Sequence, residues 1–165
     1  MTSTTLTSNI GPCPGSGVTV GKDDIALNCA GHRITGAGYA GIGLTDRTRV
    51  TIRNCKVSGF TIGFNLVNTT FAVLRNNFAR NDSDGFHIVG IRNTNVTLIG
   101  NVAQGSTYYG FFVNGDSNTL VRTPRVTGTG QGFIRASLST RFAETLQMTT
   151  GTTGSKCLGE EGRTS

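Results

Sequence analysis

Apolar residues return along this chain in a steady beat. The dipeptide Gly63-Phe64 recurs as Gly85-Phe86 and Gly110-Phe111, with related pairs at Gly41-Ile42 and Gly132-Phe133. The glycines stand 22, 22, 25 and 22 residues apart. A second apolar column, Leu27, Ile52, Val73, Leu98, Leu120 and Phe142, follows steps of 25, 21, 25, 22 and 22. Its first four members have an apolar residue two positions earlier, at Ile25, Val50, Phe71 and Val96. Past each Gly-Phe the alternation continues, in Phe64-x-Leu66, Phe86-x-Ile88 and Phe111-x-Val113. Period-two alternation over a few residues marks a strand with one buried face. No unit carries the three- and four-residue spacing of an amphipathic helix, and Gly, Asn, Asp, Ser and Thr fill the gaps.

A repeat of this length means stacked supersecondary units. Short strands, tight turns and no helix leave one economical packing. The chain winds as a coil, and each strand pairs in parallel with its copy one turn on, about 4.8 Å away. The expected fold is all-β, a parallel β-helix of about five to six turns. Inward side chains then stack like on like, Val50 on Phe71 and Phe64 on Phe86 on Phe111. The glycine before each Phe suits a corner with positive φ. A third column, Cys55, Asn76, Asn101, Thr123 and Thr145, reads as a ladder hydrogen-bonded along the axis.

The stretches VTIRNCKVSGF, FAVLRNNFARNDSDGF and VTLIGNVAQGSTYYGF resemble the repeats of right-handed parallel β-helix proteins. That is the pectate-lyase-like superfamily, in particular its carbohydrate-binding and sugar-hydrolase repeats. GPCPGSGVTVGKDDIALNCAGHRITGAG is similar to the segment that opens such helices in secreted bacterial proteins. The resemblance spans residues 5 to 120. It implies a right-handed single-stranded coil and an extracellular or periplasmic location. Enzymes and non-enzymes share the repeat, so it implies no single activity. Relatives often have Gly-His in a turn, which implies a structural role for His32.

Three segments follow from the pattern. Residues 1–16 form an N-terminal lead-in or cap. Residues 17–148 form the helix, regular over 17–120 and degenerate over 121–148. Residues 149–165 form a loose tail. Pro124 stands where a ladder strand would continue. Arg125 falls in the slot of Val57, Phe78 and Ala103, and Arg135 in that of Leu44, Leu66, Ile88 and Val113, so the last turn is expected to be open or terminal. RFAETLQM is expected to form a short capping helix.

Composition narrows the partners. The 165 residues make one domain, and the 24 glycines lack the Gly-X-Y period of collagen. Net charge is +6, from 15 basic and 9 acidic residues. An acidic polysaccharide suits it, since Arg pairs bidentately with carboxylates. No basic cluster interleaves with aromatics, which argues against nucleic acid. No apolar run is long enough to span a membrane, and Met1-Thr-Ser-Thr-Thr lacks the marks of a signal peptide. The four cysteines, Cys13, Cys29, Cys55 and Cys157, form no Cys-x-x-Cys pair, which disfavours zinc. Cys29 and Cys55 close similar positions of adjacent turns. Either they stack as small buried groups, or two of the first three cysteines are bridged.

Candidate chemistry collects on the Gly-Phe strands. The outward column there is Gly43, Asn65, His87, Phe112 and Ile134, flanked by Ala40, Ile62, Asp84, Tyr109 and Gln131 and by Thr45, Val67, Val89, Asn114 and Ala136. Asn65, His87, Tyr109, Phe112 and Asn114 are the expected ligand-binding set, with rings to stack on sugars and polar groups for hydroxyls. Asp84, His87 and Tyr109 are the catalytic alternative, a carboxylate and an imidazole available for acid–base work. Tyr109-Gly110-Phe111 resembles the start of the aromatic-Gly-Phe-Asp-x-His motif of mannuronan C5-epimerases, but Phe112 replaces the acid and Asn114 the histidine. A calcium cluster like that of pectate lyases would have only Asp82, Asp84 and Asp116, and no cofactor is expected. The three convergent Asp of polygalacturonases are missing. On the other strands Leu74, Ile99 and Val121 are expected to face outward, as an apolar stripe for a homodimer or the tail. A shortened coil also leaves an end for end-to-end association. The favoured reading is a non-catalytic extracellular module that binds or scaffolds on polysaccharide. A small lyase, epimerase or hydrolase acting on uronic-acid polymers is the alternative, and a purely structural, self-associating solenoid is the third.

Overall fold

The computed structural model describes residues 1–117, 119–134, 141–143 and 147–149. The chain is a parallel β-solenoid with three faces. Sheet A holds seven strands, Thr2–Thr5, Ile25–Asn28, Thr51–Arg53, Val73–Arg75, Thr97–Ile99, Leu120–Arg122 and Arg141–Ala143. Sheet B also holds seven, Ile10–Cys13, Arg33–Gly36, Lys56–Ser58, Phe78–Arg80, Val102–Gln104, Arg125–Thr127 and Gln147–Thr149. Sheet C holds six longer ones, Val18–Val20, Ala40–Thr45, Ile62–Val67, Asp84–Thr94, Tyr109–Ser117 and Gln131–Ile134. Each strand pairs in parallel with its equivalent one turn on, so the strand backbones hydrogen-bond from rung to rung along the axis.

The interior is a set of vertical piles. The rings of Phe64, Phe86 and Phe111 stack with their planes nearly parallel, centroids 4.7 and 4.6 Å apart. Beside them run Leu44, Leu66, Ile88 and Val113, and sheet A contributes Leu27, Ile52, Leu74, Leu98 and Val121. The glycine before each Phe is required for space and not for φ. A Cβ on Gly63 would lie 2.6 Å from the Gly85 carbonyl oxygen, and one on Gly85 2.6 Å from that of Gly110. Positive φ falls instead on corner residues such as Asn54, Asn76, Asn81 and Asn95, the polar type that best tolerates it.

The sequence-based register slips by one residue in two turns. Ala72, not Phe71, stacks on Val50. Phe71 takes positive φ and turns its ring outward, 55 % exposed. Leu74 and Val121, not Val73 and Leu120, fill the sheet A pile. The expected apolar interface stripe therefore does not exist: Leu74 and Val121 are core residues, and Ile99 alone faces out, half-buried between Arg75 and Arg122. With it goes the argument for a dimer through that face. Val126 fills the slot expected for Arg125, which is exposed on the outer face of sheet B. Arg135 lies outside the described residues, as does the segment 150–165. Residues 2–13 already supply the first strands of sheets A and B, so winding begins within the expected lead-in. Arg141–Ala143 and Gln147–Thr149 are strands where a helix was expected.

Two corners carry buried polar groups. Between sheets A and B, Cys29 and Cys55 are joined by a disulfide, which leaves Cys13 as the free cysteine among the described residues. Above them the ladder continues through Asn77 and Asn101. The Cys55 N–H donates to Asn77 Oδ1 at 3.0 Å, and the Asn77 N–H to Asn101 Oδ1 at 3.0 Å. Asn76, expected in that ladder, is the exposed corner residue beside it. Between sheets B and C, Asp82 is 1 % exposed, with Ser106 and Thr129 buried in equivalent positions of the next two turns. Burial pushes the Asp82 carboxyl up to about 7, against the lowering effect of backbone N–H donors led by Phe60.

Candidate functional site

The outward side of sheet C gathers the residues expected there. Asn65, His87 and Phe112 are directly paired across three neighbouring strands. Alternation turns them away from the core because Phe64, Phe86 and Phe111 on one side of them, and Leu66, Ile88 and Val113 on the other, point inward. The His87 ring lies over the Phe112 ring, with centroids 4.9 Å apart, and its Nδ1 is 3.3 Å from Asn65 Oδ1. The Tyr109 ring leans on Phe112 at 5.3 Å. The result is a continuous strip across three rungs, polar at one end and aromatic at the other. Asn114 is exposed beside it, in the column of Thr45, Val67 and Val89.

The flanking column is mixed. Ala40 and Ile62 are buried, whereas Asp84 and Tyr109 are half-buried. Asp84 Oδ1 accepts the Tyr109 N–H at 3.4 Å. Burial holds the His87 imidazole below its ordinary value of 6.5, and the Asp84 charge offsets this in part. At neutral pH His87 is therefore uncharged, an acceptor or donor for a hydroxyl. Among the described residues no hydrogen bond or ion pair joins Asp84 to His87. Acid–base work by the pair would need each group within hydrogen-bond reach of the substrate atom whose proton it takes or gives.

Two residues escaped the sequence reading. Tyr39 and Tyr108 are 59 % and 61 % exposed, each next to the start of a sheet C strand. Backbone pairing places both in one column, through Thr61 and Ser83. They stand three rungs apart, about 14 Å at the ordinary spacing between strands. The available signal was the Tyr immediately before Ala40-Gly41 and before Tyr109-Gly110, in a column that sequence alone does not align.

Metal donors do not converge. Among the described residues no group of three or more His, Cys, Asp or Glu is placed to hold an ion. Asp82, one of the three acids available for calcium, is buried at its corner with Oδ1 on the Phe60 N–H. His32 precedes a sheet B strand and His87 lies in sheet C.

No curated protein sequence and no solved structure matches the chain. A family model does, over residues 5–144, and its description places the family in the periplasm, in agreement with the extracellular or periplasmic location expected and with a disulfide. The match spans six of the seven sheet A strands, all six of sheet C, and the coil of stacked turns between them. The chain thus belongs to the family described as periplasmic copper-binding protein (NosD).

Proposed function

We propose that the chain is a non-catalytic module that holds a polysaccharide on the outer face of sheet C. The observation that carries this is the strip of Asn65, His87, Phe112 and Tyr109, with Tyr39 and Tyr108 exposed on the adjoining ridge. Aromatic faces stack on the apolar faces of pyranose rings, and the amide and imidazole take their hydroxyls. Platforms that repeat at the rung spacing suit a polymer better than a small molecule. Asn65 is 8 % exposed and His87, Phe112 and Tyr109 are half-buried, so a polymer would meet the imidazole and the rings first, with the amide behind them holding the imidazole.

Copper, the ligand in the family's description, finds no centre among the described residues. Copper sites draw on clustered imidazole, thiolate and thioether donors. Of the cysteines, Cys29 and Cys55 are spent in a disulfide, and of the two histidines His32 lies just before a sheet B strand while His87 lies in sheet C. The described residues do not fit a resident copper, and no step is assigned to one.

Retention on a panel of neutral polysaccharides, with an acidic polymer included to detect lyase release, tests the proposal, with wild type, Tyr108→Ala, Phe112→Ala and His87→Ala; the loss is read on the neutral polymers. Expected is at least a tenfold loss for each variant, with unchanged far-UV dichroism. Release of unsaturated sugar by wild type and not by His87→Ala would replace the binding reading with the lyase one. Retention indifferent to all three substitutions would overturn both.

A further inference from the structure

The strands of sheets A and B from Thr2 to Thr127 contain no Asp or Glu. Their outward positions are instead basic on both sides of the corner that joins the two sheets. Arg53, Arg75 and Arg122 end sheet A strands and stand in one column, continued through Ile99. Arg33, Lys56 and Arg125 begin sheet B strands and stand in a second, continued through Phe78 and Val102. All six are exposed, as is Arg80 two residues further along.

These charges are unspent. The ion pairs among the described residues join Arg47 to Asp23 and Arg49 to Asp24, at the corner between sheets C and A. The seven basic groups of the A/B face have no such partner. Two shallow depressions open between them, one lined by Arg33, Lys56, Phe78 and Arg80, the other of about 450 Å³ lined by Lys56, Asn54 and Asn76. The columns run parallel to the solenoid axis, the first over three rung steps and the second over four, about 14 and 19 Å at ordinary strand spacing. Like charges held this close in register repel one another, and a polyanion laid along them relieves that repulsion.

We infer that the A/B face is a second binding surface, for a linear carboxylate-bearing polysaccharide lying along the solenoid axis. Guanidinium forks match carboxylates in pairs, and one carboxylate per sugar supplies charge in a row, as the columns do. Phe78 is the one aromatic ring among the described residues of these columns and, like Ile99 and Val102, it is half-buried in a column that is otherwise basic, which offers neither a row of rings for nucleic-acid bases nor an apolar patch for a lipid surface. This surface is distinct from the sheet C strip and does not depend on it.

Polygalacturonate is the probe, used with the full chain at several salt concentrations. Wild type should bind it and release it as salt rises. Arg53→Glu/Arg75→Glu should weaken binding at least tenfold. Lys22→Glu/Arg47→Glu changes net charge equally on another edge and should leave most of the binding. Phe112→Ala should leave it intact. Equal loss in the two charge-reversed pairs would reduce the effect to net charge and overturn the inference. So would tighter binding to duplex DNA or to anionic phospholipid vesicles than to polygalacturonate. Loss in Phe112→Ala alone would move the acidic polymer to the sheet C strip, overturning this inference while the proposed function stands.

Discussion

Asp82 Oδ1 accepts the backbone N–H of Phe60, one turn earlier, at 2.9 Å. It repeats, at the next corner, what Asn77 does for Cys55. The difference lies in the second atom. Asn77 Nδ2 donates to the Ile52 carbonyl at 3.0 Å and to Asn101 Oδ1 at 3.1 Å, whereas Asp82 Oδ2 is buried without a partner, as are Ser106 Oγ and Thr129 Oγ1 in the turns above. A carboxylate there is a buried charge that backbone N–H groups compensate only in part. Its folded value of about 7 stands above the ordinary 3.8. The neutral acid's contribution to stability is therefore fully present below about pH 4 and lost as pH rises to about 7. Asp82→Asn keeps the acceptor and removes the charge. Urea unfolding at pH 8 should find the variant more stable, by a few kcal/mol and at most on the order of 4. The gain should shrink as pH falls to 4. No gain at pH 8 would mean that the carboxylate is satisfied when charged.

Asn77→Ala should act in the opposite sense. The side chain accepts from the Cys55 N–H and donates to the Ile52 carbonyl and to Asn101, all within the dry corner. Truncation strands those groups, at about 1–3 kcal/mol for each buried donor or acceptor left unmade. A loss of about 3 kcal/mol or more in chemical unfolding is expected. Exposed Asn76, its neighbour at positive φ, tests the assignment. Asn76→Gly should change stability by less than about 1 kcal/mol, since Gly suits that backbone.

That contrast also shows where the sequence was legible. Sheet C was read correctly because Gly-Phe marks its register twice over: the ring must be inside, and no Cβ fits beside it. Sheet A has no such marker. Val73-Leu74 and Leu120-Val121 are each two adjacent apolar residues, and period-two alternation does not choose between them. A one-residue slip turns every side chain of a strand to the opposite face. It made Leu74 and Val121 look exposed, placed Arg125 in the core, and put Asn76 where Asn77 belongs. The Asn65, His87 and Phe112 column survived because it belongs to the marked sheet. The basic columns on the A/B face did not appear at all, because Arg53, Arg75 and Arg122 align only once the slip is removed.

The Cys29–Cys55 disulfide closes a sequence separation of 26 residues between neighbouring turns. In the chain-entropy account a loop of that size stabilises by about 3 kcal/mol. Cys29→Ala/Cys55→Ala, or reduction of the wild type, should lower stability by about 2–4 kcal/mol. Cys13→Ala should not reproduce the loss, since the Cys13 thiol is free. An unchanged midpoint under reducing conditions would show that the two residues act only as stacked core groups.

His87 and Asp82 titrate against each other, and this decides how the strip must be tested. His87 lies among Asn65, Phe112, Tyr109 and the Asp84 charge, with burial dominant, so its folded value falls below 6.5. Its neutral form's contribution is fully present above pH 6.5 and is lost as pH falls through the lowered folded value. Asp82 changes stability in the other direction between about pH 4 and 7. In the wild type the two slopes partly cancel. In an Asp82→Asn background only the histidine slope remains, and stability should decline from pH 7 to 5. Adding His87→Gln should flatten that decline while keeping a hydrogen-bonding group near Asn65. Polysaccharide retention should follow the same curve, because an imidazolium on the strip is solvated differently from the neutral ring that lies over Phe112. A decline that persists in the His87→Gln double variant would assign the acid sensitivity to another group and detach it from the strip.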